Sequence, residues 1–305
     1  MVDGTRAGDR GAMARLLSLV ESGGPAAAEA LALVFPYTGR AYTIGITGPP
    51  GSGKSTLTDR LVGRIRRAGD EVGVLAVDPT SPFTGGAILG DRIRMQDHST
   101  DTGVFIRSMA TRGHLGGLAL ATPHAVRVLD AAGKPWVIIE TVGVGQVEVE
   151  VAAAADTTIV VVNPGWGDAV QANKAGLLEI ADVFVVNKAD RPGGDETVRD
   201  LRQMIEWSGE RDWNPPIVET VATNGQGIDE VWDTIAAHRS HLETDGRLAA
   251  RRAARLRDEI RSLVVERLGE RAAALCAGPG FDELLGRVES RDVDPHAAAA
   301  TLLNQ

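Results

Sequence analysis

The sequence predicts an α/β fold in three layers, a mainly parallel sheet between helices, with helical extensions at both ends. Three observations predict it. Short, nearly continuous apolar runs recur along most of the chain, and helical stretches separate them. The polar residues of chemical interest stand where those runs end, at Lys54, Asp78, Glu140, Asn163, Asn187 and Asp190. That is where ligands bind on such a sheet.

Taken in order, residues 8–33 come first. Met13, Leu16, Leu17, Val20 and, after a Gly-Gly-Pro break, Leu31 and Leu33 are spaced for two short amphipathic helices. Seven strands are expected: "AYTIGIT" (41–47), "EVGVLAVD" (71–78), "GVFIRS" (103–108), "WVIIET" (136–141), "DTTIVVVN" (156–163), "DVFVVNKAD" (182–190) and "PPIVETVAT" (215–223). Between the first two, "LTDRLVGRIRRAG" (57–69) reads as a helix stopped by Gly69.

From about Gly225 the pattern is helical. Leu256, Ile260, Leu263, Val264 and Leu268 form one apolar stripe, and Asp294-Pro295 suits the cap and first turn of a last helix. The organisation expected is a helical extension over 1–40, an α/β domain over 41–240 and a second helical extension over 241–305. Arg247, Arg251, Arg252, Arg255 and Arg257 read either as a solvated face balanced by nearby carboxylates or as a surface for an anionic partner.

Bulk properties narrow the classes. The chain has 305 residues, 43% hydrophobic and 24% charged, the balance of a globular protein. A net charge of −9 argues against a nucleic-acid partner. Cys276 is the single cysteine, so no disulfide within the chain and no Cys-based zinc site is expected. No apolar run reaches 18 residues, and the N-terminus lacks the apolar core and cleavage site of a signal peptide. The expectation is a cytoplasmic protein with no membrane partner.

Gly48-Pro49-Pro50-Gly51-Ser52-Gly53-Lys54-Ser55 fits G-x-x-x-x-G-K-[ST] at every place, with a strand before it and a helix after. Gly48, Gly51 and Gly53 let backbone N–H groups converge on phosphate without a Cβ in the way, and Ser52 between them belongs to the same phosphate-binding loop. Lys54 reaches the β- and γ-phosphates, Ser55 is placed to ligate Mg²⁺, and Thr56 continues the helix start that favours an anion. The fold is therefore expected to be a P-loop NTPase, with Lys54 among its catalytic residues.

Asn187-Lys188-Ala189-Asp190 ends the sixth apolar run. A carboxylate at Asp190 can accept from guanine N1–H and N2–H₂. Adenine would leave it unpaired, a large penalty for the wrong base. Asn187 would bond the purine edge, the Lys188 stem would lie over the ring, and Val221-Ala222-Thr223 would offer a backbone N–H to guanine O6. GTP is expected over ATP.

"ETVGVGQVE" (140–148) places Glu140 at a strand end, where it can hold Mg²⁺ through water, and Gly143 where its N–H can meet the γ-phosphate. Gln146 and Glu148 read either as orienters of the attacking water or as exposed loop side chains. "LAVDPTSPFTGGAILGDRIRM" (75–95) holds Asp78 and Asp91. Two carboxylates near Ser55 would suit Mg²⁺, while Asp91 reads equally as the cap of the helix that follows. His238 and His241 lie at i, i+3 on an amphipathic helix and read as solvated rather than metal-binding. Arg107 and Arg112 read as surface-loop residues or as approaching a phosphate or a partner.

"GITGPPGSGKST", "VLAVDPTSPFTGGAILGDRIRM", "ETVGVGQVE" and "NKAD" occur in that order. Together they resemble the MeaB/ArgK group of GTPases, whose human counterpart is MMAA, over roughly residues 8–240. The helical tail is also similar, and the chain is slightly short at both ends against that pattern. The resemblance implies a G-protein chaperone of an adenosylcobalamin-dependent acyl-CoA mutase, chiefly methylmalonyl-CoA mutase, that gates cofactor delivery and protects the mutase. It implies GTP/GDP and Mg²⁺ as cofactors, with Ser55, Asp78, Asp91 and Glu140 around the metal. Lys54, Glu140 and Gln146 would be catalytic, and "NPGWGDAVQANKAG" (163–176) would couple nucleotide state to the mutase. It also implies a homodimer through the C-terminal helices. Two rivals remain: an ArgK-type kinase linked to amino-acid transport, and a metallochaperone GTPase such as the nickel-insertion protein HypB, whose His- and Cys-rich segments this chain lacks. No arginine finger stands within the motifs, so slow intrinsic turnover, accelerated by the mutase, is expected.

Overall fold

The structure is a computed structural model. It describes the chain except residues 80–97, 99, 112–116, 142–146, 166–173, 210 and 305, and for residues 78–79, 110–111, 117–120, 147–150 and 174–175 it describes the backbone. The chain divides into two compact units, Met1–Ala253 and Ala254–Gln305.

In the first unit all seven expected strands form: β1 (Tyr42–Thr47), β2 (Val72–Pro79), β3 (Val104–Thr111), β4 (Trp136–Thr141), β5 (Thr157–Val162), β6 (Val183–Asn187) and β7 (Ile217–Thr220). They make one sheet in the order β3-β2-β4-β1-β5-β6-β7, with every adjacent pair parallel. β1, which leads into the phosphate loop, lies at the centre. Ile46 on β1 stands opposite Glu140 on β4, which stands opposite Ala76 on β2. This register brings the carboxyl ends of β1 and β4 level.

The near-continuous apolar runs arise because both faces of the sheet are covered. Ile159 and Val161 on β5 face one core; Val160 and Val162 face the other. The first core is closed by α4 (Lys54–Arg67) and α9 (Ile228–Glu243), through Leu57, Leu61 and Ile65 and through Val231 and Ile235. Before β1 come α1 (Val2–Arg6), α2 (Arg10–Ser22) and α3 (Pro25–Val34). On the opposite face lie α2, α5 (Gly117–Ala131), α6 (Val147–Ala154), α7 (Lys174–Ile180) and α8 (Gly194–Trp207). Met13, Leu16, Leu17 and Val20 of α2 are all buried there, as their spacing predicts. Each such buried aliphatic side chain stabilises the fold by roughly 1.5–3 kcal/mol.

Polar anchors hold the opposite, amino end of the sheet. Asp156 and Asp182 immediately precede β5 and β6. Arg251 donates to both Asp182 oxygens at 3.1 and 2.9 Å, and Arg252 to Asp156 at 3.2 and 2.6 Å. These two arginines stand in the second turn of α10 (Arg247–Cys276) and are paired with carboxylates, the balanced reading of that charge run. His238 departs from its sequence reading. It is 1% exposed, meets Thr157 Oγ1 through Nδ1 at 2.9 Å, and lies against the Trp213 ring at 4.9 Å. Its solvated reading failed because its packing partners lie far away in sequence. Burial pushes its pKa down to about 4, against the opposing pull of Asp182.

The second unit holds most of α10, α11 (Pro279–Glu289) and α12 (Pro295–Leu303). Leu284, Ala298 and Leu302 form its small core. Asp294 caps α12 by accepting from His296 N at 2.9 Å and Ala297 N at 3.1 Å. Along α10, Ile260, Val264 and Leu268 are at least half exposed and share one face by their spacing.

Candidate nucleotide site

The phosphate loop runs from the end of β1 into α4. A Cβ at Gly48 would collide with the Val161 backbone, and one at Gly53 with the Asn187 amide. Gly53 also takes a left-handed φ of 97° as the residue before α4, and its position carries no side-chain cap. The first N–H groups of α4 are thus left to an anion. Ser52 Oγ is buried and has no hydrogen-bond partner among the described residues. Gly51 is exposed at the loop tip, and Thr56 is half-buried on the first turn of α4.

Lys54 is buried, and its Nζ folds over the loop to the carbonyls of Gly48 at 2.7 Å and Pro49 at 3.1 Å. Ser55 Oγ donates to Glu140 Oε1 at 2.5 Å. Glu140 is 1% exposed at the end of β4. A hydroxyl and a carboxylate in contact beside the loop make an all-oxygen donor pair, the kind that suits a hard cation such as Mg²⁺. Asp78 is the penultimate residue of β2, two residues beyond the Glu140 register, and only its backbone is described. Asp91, Arg112, Gly143 and Gln146 lie outside the described residues, as does most of the 163–176 segment, and the Glu148 side chain is not described. Arg107 stands on β3 rather than in a loop. It donates to Ser18 Oγ at 3.0 Å and to Glu21 Oε2 at 2.9 Å on α2, which takes up its charge away from the phosphate loop.

At the neighbouring strand ends the N-K-x-D residues meet the same loop. Asn187 is buried; its Nδ2 donates to the Ser52 carbonyl at 2.8 Å, and its Oδ1 accepts from Thr220 Oγ1 and Ala222 N, each at 3.1 Å. Lys188, at a left-handed φ of 61°, donates from Nζ to the Gly51 carbonyl at 2.5 Å. Asp190 is exposed in the turn that follows β6. Val221 N–H donates to the Gln226 carbonyl, Ala222 is buried and Thr223 is exposed. The arrangement thus brings Gly51, Ser52, Asn187, Lys188 and the 221–223 turn together, and Ser55 with Glu140.

Arg60 belongs to no motif of the sequence yet reaches the same turn. It stands on α4, and its guanidinium donates to the carbonyls of Ala222 and Thr223. The only signal was an arginine pair at i, i+4, Arg60 and Arg64, on the helix after the phosphate loop.

A family model described as Methylmalonyl Co-A mutase-associated GTPase MeaB matches residues 13–277. The chain belongs to the MeaB family. Among its relatives, a putative GTPase of Pyrococcus abyssi is 52% identical, with 100% of this chain and 95% of the relative covered. GTPase ArgK of Escherichia coli is 40% identical over 80% of this chain and 76% of its own length. A solved structure described as an LAO/AO transport system kinase superposes with a TM-score of 0.73 at 30% identity, covering 99% of this chain and 95% of that one. As a MeaB-family protein the chain is a P-loop GTPase that binds guanine nucleotide. Among the described residues no helix is long and apolar enough to cross a membrane.

Proposed function

We propose that this MeaB-family GTPase is an Mg²⁺-dependent G-protein chaperone of an adenosylcobalamin-dependent acyl-CoA mutase, methylmalonyl-CoA mutase first among them. It would act in the cytoplasm as a homodimer, assisting cofactor loading and protecting the mutase. The mutase half rests on the family's own description. The nucleotide half rests on one observation above all: Asn187 ties the phosphate loop to the 220–222 turn, so both ends of a nucleotide meet one frame.

In this reading Gly48, Gly51, Ser52, Gly53 and Thr56 cradle the phosphates, and Lys54 releases its loop carbonyls to meet the β- and γ-oxygens. Ser55 and Glu140 hold Mg²⁺, joined by Asp78 and Asp91, and Gly143 meets the γ-phosphate. When bound, the ion supplies charge neutralisation of the phosphoryl oxygens. Asp190 accepts from guanine N1–H and N2–H₂, Lys188 lies along the ring, and the 221–223 turn meets O6. Gln146 is the candidate that orients the attacking water. Catalysis is then positioning and charge stabilisation, with little covalent work for the protein. The exposed Ile260, Val264 and Leu268 face supports pairing of two copies through α10.

The test is binding. Purified methylmalonyl-CoA mutase and this chain are passed together over a sizing column, with GDP and with a non-hydrolysable GTP analogue. A nucleotide-dependent co-eluting complex is expected; separate elution in both states would remove the mutase reading.

A further inference from the structure

Arg60 lies on α4, the helix that Lys54 opens, yet it faces the base end of the site. Its Nε donates to the Ala222 carbonyl at 2.9 Å and its Nη2 to the Thr223 carbonyl at 2.6 Å. One turn further along, Arg64 donates to Asp229 Oδ1 at 2.9 Å, in the first turn of α9. Two arginines on one face of α4 therefore fasten the 221–223 turn and the helix start that follows it.

Three N–H groups belong to that turn. Val221 donates to Gln226 and Ala222 donates to Asn187 Oδ1. Among the described residues, Thr223 N–H has no partner. The Ala222 carbonyl and the Thr223 N–H share one planar trans peptide, in which they point in opposite directions. Holding the oxygen on Arg60 therefore aims the N–H away from α4.

We infer that Arg60 is a positioning residue for base selection. By gripping the Ala222 and Thr223 carbonyls it presents Thr223 N–H as the donor for the purine oxygen at position 6. This rests on the guanine reading above. Guanine offers an acceptor at that position and adenine an amino donor, so a fixed N–H favours the first and rejects the second. The two-pronged grip needs the forked guanidinium; an ammonium can offer the same charge but not the same pair of directed bonds.

The test uses the full chain, with GDP and ADP binding measured by equilibrium titration and GTP hydrolysis by phosphate release. For Arg60→Ala the GDP dissociation constant rises about tenfold, equivalent to about 1.4 kcal/mol, while ADP binding stays the same. In hydrolysis the loss appears in KM rather than kcat, and Arg60→Lys recovers part of it. A GDP-to-ADP ratio unchanged in Arg60→Ala overturns the role of Arg60, whether or not both affinities fall. A wild-type chain that does not prefer GDP over ADP overturns the guanine reading itself, and this inference with it. If Arg60→Ala unfolds at the assay temperature, Arg60→Lys carries the test: a smaller loss of the same ratio supports the role, and an unchanged ratio overturns it.

Discussion

The side-chain amide of Asn187 donates to the backbone carbonyl of Ser52 at 2.8 Å, across 135 positions of chain. The same amide accepts from Thr220 and from Ala222. The end of β6 thereby joins the phosphate loop to the turn after β7, and the site is one bonded frame rather than three loops.

Asn187→Ala leaves several buried polar groups unsatisfied. At about 1–3 kcal/mol for each such group, a loss of several kcal/mol in unfolding free energy is expected. Urea unfolding checks it. A loss below about 0.5 kcal/mol, the ordinary surface value, would mean that the frame does not depend on this amide.

Asp190 is exposed in the turn after β6. Asp190→Asn converts an acceptor pair into an acceptor and a donor. It is expected to weaken GTP binding by about 100-fold or more and to favour xanthosine triphosphate, whose position-2 oxygen accepts. Competition binding of the two nucleotides reads this directly, and unchanged GTP affinity removes Asp190 from the base site.

Ser55 and Glu140 touch at 2.5 Å. Ser55→Ala deletes one oxygen of the proposed metal pair. A fall of about 100-fold in kcat is expected, the scale seen when a single charge-stabilising contact is removed, together with a higher Mg²⁺ concentration for half-maximal rate. Lys54→Ala is expected to abolish hydrolysis while the thermal midpoint stays near that of the wild type. A Mg²⁺ dependence unaltered in Ser55→Ala would show that the hydroxyl is not a ligand.

His238 links folding to pH. Its folded-state pKa is pushed from 6.5 down to about 4 by burial. Between those values the unfolded chain binds the proton and the folded chain does not, so its contribution is complete above pH 6.5 and is lost as pH falls towards 4. At 1.36 kcal/mol per unit, the contribution reaches about 3 kcal/mol. Denaturant unfolding of wild type and His238→Gln at pH 7 and pH 4.5 isolates it. The wild type is expected to lose more stability than the variant over that interval, and equal losses would show that His238 is protonated in the fold.

The sheet was legible in the sequence because its inner strands β1, β2, β4, β5 and β6 are apolar runs buried on both faces, a pattern that survives without knowledge of their neighbours. The phosphate loop and the N-K-x-D segment were legible for a similar reason: each is a short local string with its strand and helix beside it. His238 was not, because its burial depends on Thr157 and Trp213, which the helix spacing around it does not reveal. Arg60 was not, because its partners lie 162 and 163 positions away and an arginine on a helix face ordinarily looks solvated. Arg107 stands near the end of the expected 103–108 run, where a charged side chain suggests the start of a loop; β3 instead continues to Thr111, and Ser18 and Glu21 on α2 take up the guanidinium.

A GTPase that serves a cobalamin-dependent mutase, as proposed for this chain, should respond to that mutase in its turnover. The most direct measurement is its GTP hydrolysis rate alone and with purified methylmalonyl-CoA mutase, at saturating GTP and Mg²⁺. Slow turnover alone and a rise of at least about tenfold with the mutase are expected, a reduction in barrier of about 1.4 kcal/mol. The same rate with and without the mutase would contradict it.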